Sequence, residues 1–287
     1  MLRILPLLLF FLLPAIAVAD SQPAMYTVHG KHNVIHLVGT VHMLQQADAV
    51  PNNINKAYGD SKQLLMEIDT SAMDASAIQE VMLTSGMLPE DETLESRVGS
   101  AVYGKVKNAA HNAGVDMTML DRMRPWLVAL TLEETLYTKM GFDPNAGIEI
   151  QLTKLAAQDN KPISGLETMN EQINLFANLD KKTELEYLTD TLDELSNLRS
   201  ELDDLVGAWK RGDEAKLLSL LQKEMNGHER FYGVLVFDRN KRWISQLQNL
   251  LDNSNDDYLV AVGALHLVGD QGVVALLRRA GYKVTRD

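Results

Sequence analysis

Leu37-Val38-Gly39-Thr40-Val41-His42-Met43-Leu44 near the start of the chain is echoed near its end by Ala261-Val262-Gly263-Ala264-Leu265-His266-Leu267-Val268. Each stretch is an apolar, strand-forming run, then a Gly, two spacers, a His and further apolar residues. Strands from the two ends of a chain bury their faces most economically in one sheet. The repeat therefore predicts an α/β fold whose mixed β-sheet is built from N- and C-terminal strands and covered by helices. It also places a His at matching ends of two strands, where both could face one pocket. Gly39 and Gly263 would let backbone or ligand approach closely there.

Working outward, Met25–His29 and 34–41 read as a hairpin joined through Gly30-Lys31-His32-Asn33. A helix is predicted over 51–61 and a doubly buried strand over 63–68. A large helical middle region follows, over 74–86, 97–113, 126–140 and 147–158. A short strand at 162–166 and a helix at 168–178 come next. Apolar residues spaced by three and four from Leu185 to Trp209 predict one long amphipathic helix over 183–210, a core element and a possible homodimer face. Helices at 213–225 and 235–252, a strand at 258–264, a helix at 270–280 and a strand at 282–285 complete the pattern.

Residues 1–19 read as a signal peptide: Arg3, an apolar stretch from Ile4 to Val18, and the small residues Ala17-Val18-Ala19. The apolar stretch is shorter than the roughly 20 residues of a membrane span. The expectation is an exported protein, periplasmic or secreted, with no stable membrane span after cleavage and one domain over 20–287. Without Arg3, the 27 basic residues become 26 against 39 acidic, a formal charge of −13. That balance argues against nucleic acid as a partner. The absence of Cys excludes thiol catalysis and thiolate metal sites. Any metal must be held by His, Asp, Glu, backbone or water.

Glu67 is a charge set in the apolar run Leu64-Leu65-Met66-Glu67-Ile68. A buried carboxylate needs a partner or a metal. If its strand neighbours the two that carry His, then His42, Glu67 and His266 form a ligand set for zinc or another divalent ion. An open position on such an ion would activate water and polarise a carbonyl. Arg239 could bind a substrate carboxylate or stabilise an oxyanion, with Asn240 donating beside it. Glu167, between a strand and a helix, is a candidate second carboxylate for acid/base work; favourable charge at a helix start is the alternative. His29, His32 and His36 read as solvent-facing hairpin residues. Nucleophile-elbow, His-Glu-x-x-His, Walker and dinucleotide fingerprints are absent.

The ordered landmarks resemble the TraB/GumN family: Val38-Gly39-Thr40-Val41-His42, the Glu67 strand, Arg124-Pro125-Trp126, Gly147-Ile148-Glu149, Gly165-Leu166-Glu167-Thr168, Arg239-Asn240 and Gly263-Ala264-Leu265-His266. The resemblance implies a fold related to the TIKI proteins, and more distantly to erythromycin esterase-like enzymes and ChaN-like haem-binding proteins. TIKI proteins are metal-dependent peptidases favouring manganese or cobalt, and on that likeness His42, Glu67 and His266 carry over. The family often has Gly-Val-Asp where this chain has Gly147-Ile148-Glu149, which leaves the role of Glu149 open. The expected activity is metal-dependent hydrolysis of a small peptide or another amide or ester. The alternative is a protein that sequesters a peptide or haem-like ligand without turnover.

Overall fold

The computed structural model describes residues 21–69, 71 and 75–287; the leader-like segment 1–19 lies outside them. The strands are β1 (Met25–His29), β2 (Val34–Thr40), β3 (Leu44–Gln45), β4 (Gln63–Met66), β5 (Phe142–Asp143), β6 (Ile163–Gly165), β7 (Tyr258–Gly263) and β8 (Lys283–Arg286). Six of them form a mixed sheet in the order β6-β4-β7-β2-β1-β8, while β3 and β5 pair separately. The expected mixed sheet of terminal strands under helices is thus present, and β2 and β7 lie side by side.

Alternation along each strand assigns its side chains to one of two cores, as the period of two requires. Val38, Leu64, Met66, Leu259 and Ala261 face one side, packed beneath the helices Asn52–Asp60, Ile148–Asp159 and Leu198–Lys210. Ile35, Leu37, Leu65, Val260 and Val262 face the other, against Trp243, Leu247 and Leu251 of the helix Asp238–Asn253 and Val273, Val274 and Leu277 of the helix Val273–Arg279. Being central, β7 is buried along Tyr258–Val262, which is why its sequence is an unbroken apolar run. A third core joins the helices Leu94–Ala113, Pro125–Lys139 and Lys181–Glu194 beyond the sheet.

The helix expected over 183–210 is two helices, Lys181–Glu194 and Leu198–Lys210. Leu188 packs into the helical third core, whereas Leu202, Val206 and Trp209 pack beneath the sheet. The break at 195–197 lets one apolar repeat serve two cores. The segment expected to be helical from 235 is extended backwards by a short helix, Glu229–Tyr232, and a π-helical turn, Gly233–Phe237.

Strands β6, β4, β7 and β2 are mutually parallel, with Met66 opposite Gly165 and Ala261, and Thr40 opposite Gly263. All four therefore end at the same edge of the sheet. In open α/β sheets the crevice beyond the carboxyl ends of parallel strands is where ligands bind.

Candidate functional site

Each of those four strand ends delivers a candidate residue. His42 follows β2 by two residues, Glu67 follows β4 directly, Glu167 follows β6 by two, and His266 closes the short 3-10 turn Ala264–His266 after β7. The strand expected over 63–68 stops at Met66, so Glu67 lies at the mouth of the sheet rather than within it. His42, Glu67, Arg239 and His266 line one cavity of about 660 Å³. Glu167 does not line it but stands behind Arg239. His29, His32 and His36 lie on the hairpin, away from it.

Gly263 is where the lines meet. A Cβ placed on it would lie 3.2 Å from Glu67 Oε1, 3.5 Å from His266 Cδ2 and 3.7 Å from His42 Nε2. Both imidazoles and the carboxylate therefore converge over one bare backbone position. At Gly39, a Cβ would meet the Cα of Ala264 at 2.8 Å, so the turn carrying His266 is seated directly on β2. The expected close approach of backbone is present at Gly39; at Gly263 the neighbours are side chains.

Glu67 is buried, and its two oxygens have different partners. Oε2 accepts from Arg239 Nη2, and from Gln172 Nε2 at 3.0 Å. Oε1 accepts from Gly263 N–H at 2.7 Å and faces His266 Nε2 at 3.8 Å. Burial opposes its charge, but His266, Arg239, His42 and the Gly263 N–H outweigh it and hold the carboxyl down at about 2.

Each His is held through Nδ1 by an oxygen. His266 Nδ1 lies 2.6 Å from Asn240 Oδ1, an atom that can only accept, so Nδ1 carries the proton and the Nε2 lone pair accepts from Arg239 Nη1 at 3.1 Å. Burial lowers His266 to about 4 despite the attraction of Glu67, with Arg239 and His42 adding to the shift, and the ring is neutral. His42 Nδ1 lies 2.8 Å from Glu149 Oε1, and Thr40 Oγ1 donates to the same oxygen. Glu149 raises His42 to about 9, against the effect of burial within the cleft. His42 nonetheless presents 68% of its side-chain surface to the open cavity.

Arg239 is buried, not on an exposed basic helix face with Lys241 and Arg242. All five of its N–H groups are committed. Nε donates to Glu167 Oε1 at 2.8 Å; Nη2 donates to Glu67 and Glu167; Nη1 reaches Leu235 O at 3.0 Å and His266 Nε2 at 3.1 Å. The guanidinium also lies 4.9 Å from the centre of the Trp243 ring, which contacts His266 at 4.6 Å between ring centres. It thus bridges Glu67 to His266. Among the described residues, Glu194, Glu201 and Glu224 are the group whose ligand atoms lie mutually within 4.8 Å; those of His42, Glu67 and His266 are more widely spaced.

Three residues complete the site around His42, Glu67, Arg239 and His266. Glu149, whose role the sequence left open, holds His42; Asn240, noted as a possible donor, donates to two backbone carbonyls and accepts from His266; Gln172 braces Glu67. Gln172 had a legible signal: it shares a helix face with Met169, Ile173 and Phe176, a polar residue in an apolar stripe.

The TraB/PrgY/gumN family pattern matches residues 24–286. The chain is 28% identical over 244 residues to the uncharacterized protein YbaP of Escherichia coli (strain K12), covering 85% of this chain and 87% of that protein. It is 24% identical to a protein named metalloprotease TIKI homolog from Amphimedon queenslandica, covering 88% of this chain and 59% of that one. It is 23% identical to metalloprotease TIKI2 of Xenopus tropicalis, with 92% and 60% covered. No solved structure matches it.

Proposed function

This chain belongs to the TraB/PrgY/gumN family, and on that footing we propose that it is a metal-dependent hydrolase of amide or ester bonds in small peptides. The observation that carries the reading is the convergence of two Nδ1-buttressed imidazoles and Glu67 Oε1 over Gly263. The names of the TIKI relatives support the same chemistry.

The donor set suits a divalent ion. Metal-ligating His residues give their second nitrogen to a carboxylate or carbonyl oxygen, which fixes the ring and its tautomer. Glu149 and Asn240 supply such oxygens here, leaving Nε2 of each ring on the Glu67 side, where an ion would take the place of the Arg239 N–H at His266 Nε2 and of the second proton of His42. His42, Glu67 and His266 would hold the ion, with manganese, cobalt and zinc as the candidates. A divalent ion there would supply Lewis-acid polarisation of the substrate carbonyl and activation of water at neutral pH.

The protein groups divide the remaining work. Arg239 and Gln172 fix Glu67 by Oε2 so that Oε1 keeps facing the imidazoles. Because every N–H of Arg239 already has a protein acceptor, its role is to position Glu67 and His266 rather than to grip substrate. Glu167, behind Arg239 and off the cavity, anchors the guanidinium and is not placed for proton transfer to substrate. The leader-like residues 1–19 support an exported, extracytoplasmic site of action, which fractionation of the expressing cell would test.

The decisive experiment titrates manganese, cobalt and zinc ions into the purified chain 20–287 and into the His42→Ala, His266→Ala double variant, followed by calorimetry and thermal melting. An ion at about 100 times its Kd adds about 2.7 kcal/mol of stability. That gain is expected in the native chain and absent in the variant. Equal behaviour of the two would sink the reading. Ligand binding without turnover of any peptide would favour a sequestering protein instead.

A further inference from the structure

The cavity has two chemically distinct sides. Its charged side chains all belong to the strand-end site and its supports, Glu149 among them, together with the polar Gln172 and Thr40; the helical side adds the indole N–H of Trp126, which is itself buried. The facing wall is drawn from helices outside the sheet: Met82, Trp126, Leu130, Met169, Ile173 and Phe176, continued by Leu235 and Val236 of the π-helical turn. Among the described residues this wall contains no Asp, Glu, Lys or Arg.

That asymmetry limits what can lie where. A peptide backbone pushed into the apolar side would leave its N–H and C=O groups without partners, which burial penalises heavily. The same backbone along the strand-end side meets the exposed imidazole of His42 and the Glu67 carboxylate beside Gly263. A side chain projecting from it toward the helices must then lie against Trp126, Leu130 and Phe176, and only an apolar one does so without stranding a polar group. Three flexible thioethers, Met66, Met82 and Met169, share the lining. Their adaptability suits a class of large apolar side chains rather than one shape.

We propose that the helical wall is a specificity chamber for a bulky apolar side chain, aromatic or branched aliphatic, on the residue at the reacting bond. The proposal rests on the hydrolase reading for the word reacting, but the chamber's preference is measurable without turnover.

The test uses four blocked peptides, acetyl-Ala-X-Ala-amide with X as Phe, Leu, Ala or Asp. Their binding to the chain 20–287 is measured by calorimetry, and their cleavage is followed in the presence of manganese ions. Phe and Leu peptides are expected to bind at least about tenfold more tightly than the Ala peptide, the scale on which apolar pockets discriminate, with the Asp peptide weakest. Leu130→Lys should abolish that order and bring the Asp peptide above the Phe peptide. Met82→Lys serves the same purpose if Leu130→Lys loses its native melting transition. Equal affinities, no binding of the Phe and Leu peptides, or an order unchanged in a folded lysine variant would each overturn the chamber. Selective binding with no cleavage would sink the hydrolase and leave the chamber standing. Cleavage of all four peptides at one kcat/KM would do the reverse.

Discussion

Asn240 donates its amide hydrogens to the backbone carbonyls of His266, at 3.2 Å, and Gln271, at 2.8 Å, and so turns its own Oδ1 onto His266 Nδ1 at 2.6 Å. Both ends of the amide are fixed, and the residue is fully buried. The tautomer of His266 is thereby set by a neutral group that does not itself titrate. Replacing Asn240 by Ala should release the ring into a mixture of tautomers and weaken divalent-ion binding about 10–100-fold, the usual size of such second-partner effects. Nitrogen-15 chemical shifts of His266 and calorimetric ion titration would read both consequences. A variant with unchanged shifts and unchanged affinity would refute the assignment.

His42 has the opposite arrangement, a charged partner instead of a neutral one. Glu149 Oε1 is its nearest carboxylate oxygen and the main reason its titration is raised to about 9. In Glu149→Gln the imidazole should titrate near or below its ordinary value of 6.5, because burial and Arg239 are then opposed by Glu67 alone. An NMR titration of the His42 ring follows this directly, and a midpoint still near 9 would exclude Glu149 as the cause.

Arg239 compensates two buried carboxylates at once. Arg239→Met leaves Glu67 and Glu167 without their guanidinium, and should destabilise the fold by about 3–5 kcal/mol, as breaking a buried pair does. Arg239→Lys should recover only part of this, since one ammonium cannot reproduce five fixed donors. Urea denaturation near neutral pH measures both. Loss below about 1 kcal/mol in the Met variant would contradict the pairing described here.

Gly263 has φ −50° and ψ 137°, a conformation open to any residue, so backbone strain is not the reason for Gly at this point. A methyl there would instead press on Glu67 Oε1 and face both imidazoles. Gly263→Ala should therefore change stability by no more than about 1 kcal/mol while lowering ion affinity and activity at least tenfold. Should ion binding survive intact in the variant, the convergence over Gly263 would not be the functional centre.

Away from the site, Glu133 accepts from Tyr187 Oη at 3.3 Å and Thr191 Oγ1 at 3.4 Å, and burial raises its carboxyl to about 7. Its protonated form is favoured in the folded state. Its contribution to stability is therefore complete below the ordinary carboxylate range, declines as pH rises toward 7, and is gone above it. Glu133→Gln should flatten that decline and stabilise the protein at pH 8 by an amount on the order of 1–3 kcal/mol. Melting temperatures measured from pH 4 to pH 8 test this; parallel profiles for the two proteins would disprove it.

Much of the architecture was legible because it rests on local patterns. The run Tyr258–Val262 reads as a doubly buried strand, and most helices begin and end within a few residues of their expected limits. The break between Lys181–Glu194 and Leu198–Lys210 was not legible, because the apolar spacing continues through 195–197 while the cores it serves change. Glu149 and Gln172 were hard to assign for a related reason. A polar residue on a helix shows that it is polar, but the carboxylate or imidazole it meets is more than a hundred residues away in one case and about as far in the other.

By itself the sequence determined that His42 and His266 would stand at the ends of two apolar strands and that Glu67 is a charge beside a third apolar run, since side-chain alternation and burial are written into neighbouring residues. Tertiary structure alone decided that those strands lie side by side in parallel, so that their carboxyl ends share one edge and the three side chains converge over Gly263. It also decided which nitrogen of each ring is held by an oxygen, because that depends on the partner brought beside it: Asn240 for one imidazole and Glu149 for its twin.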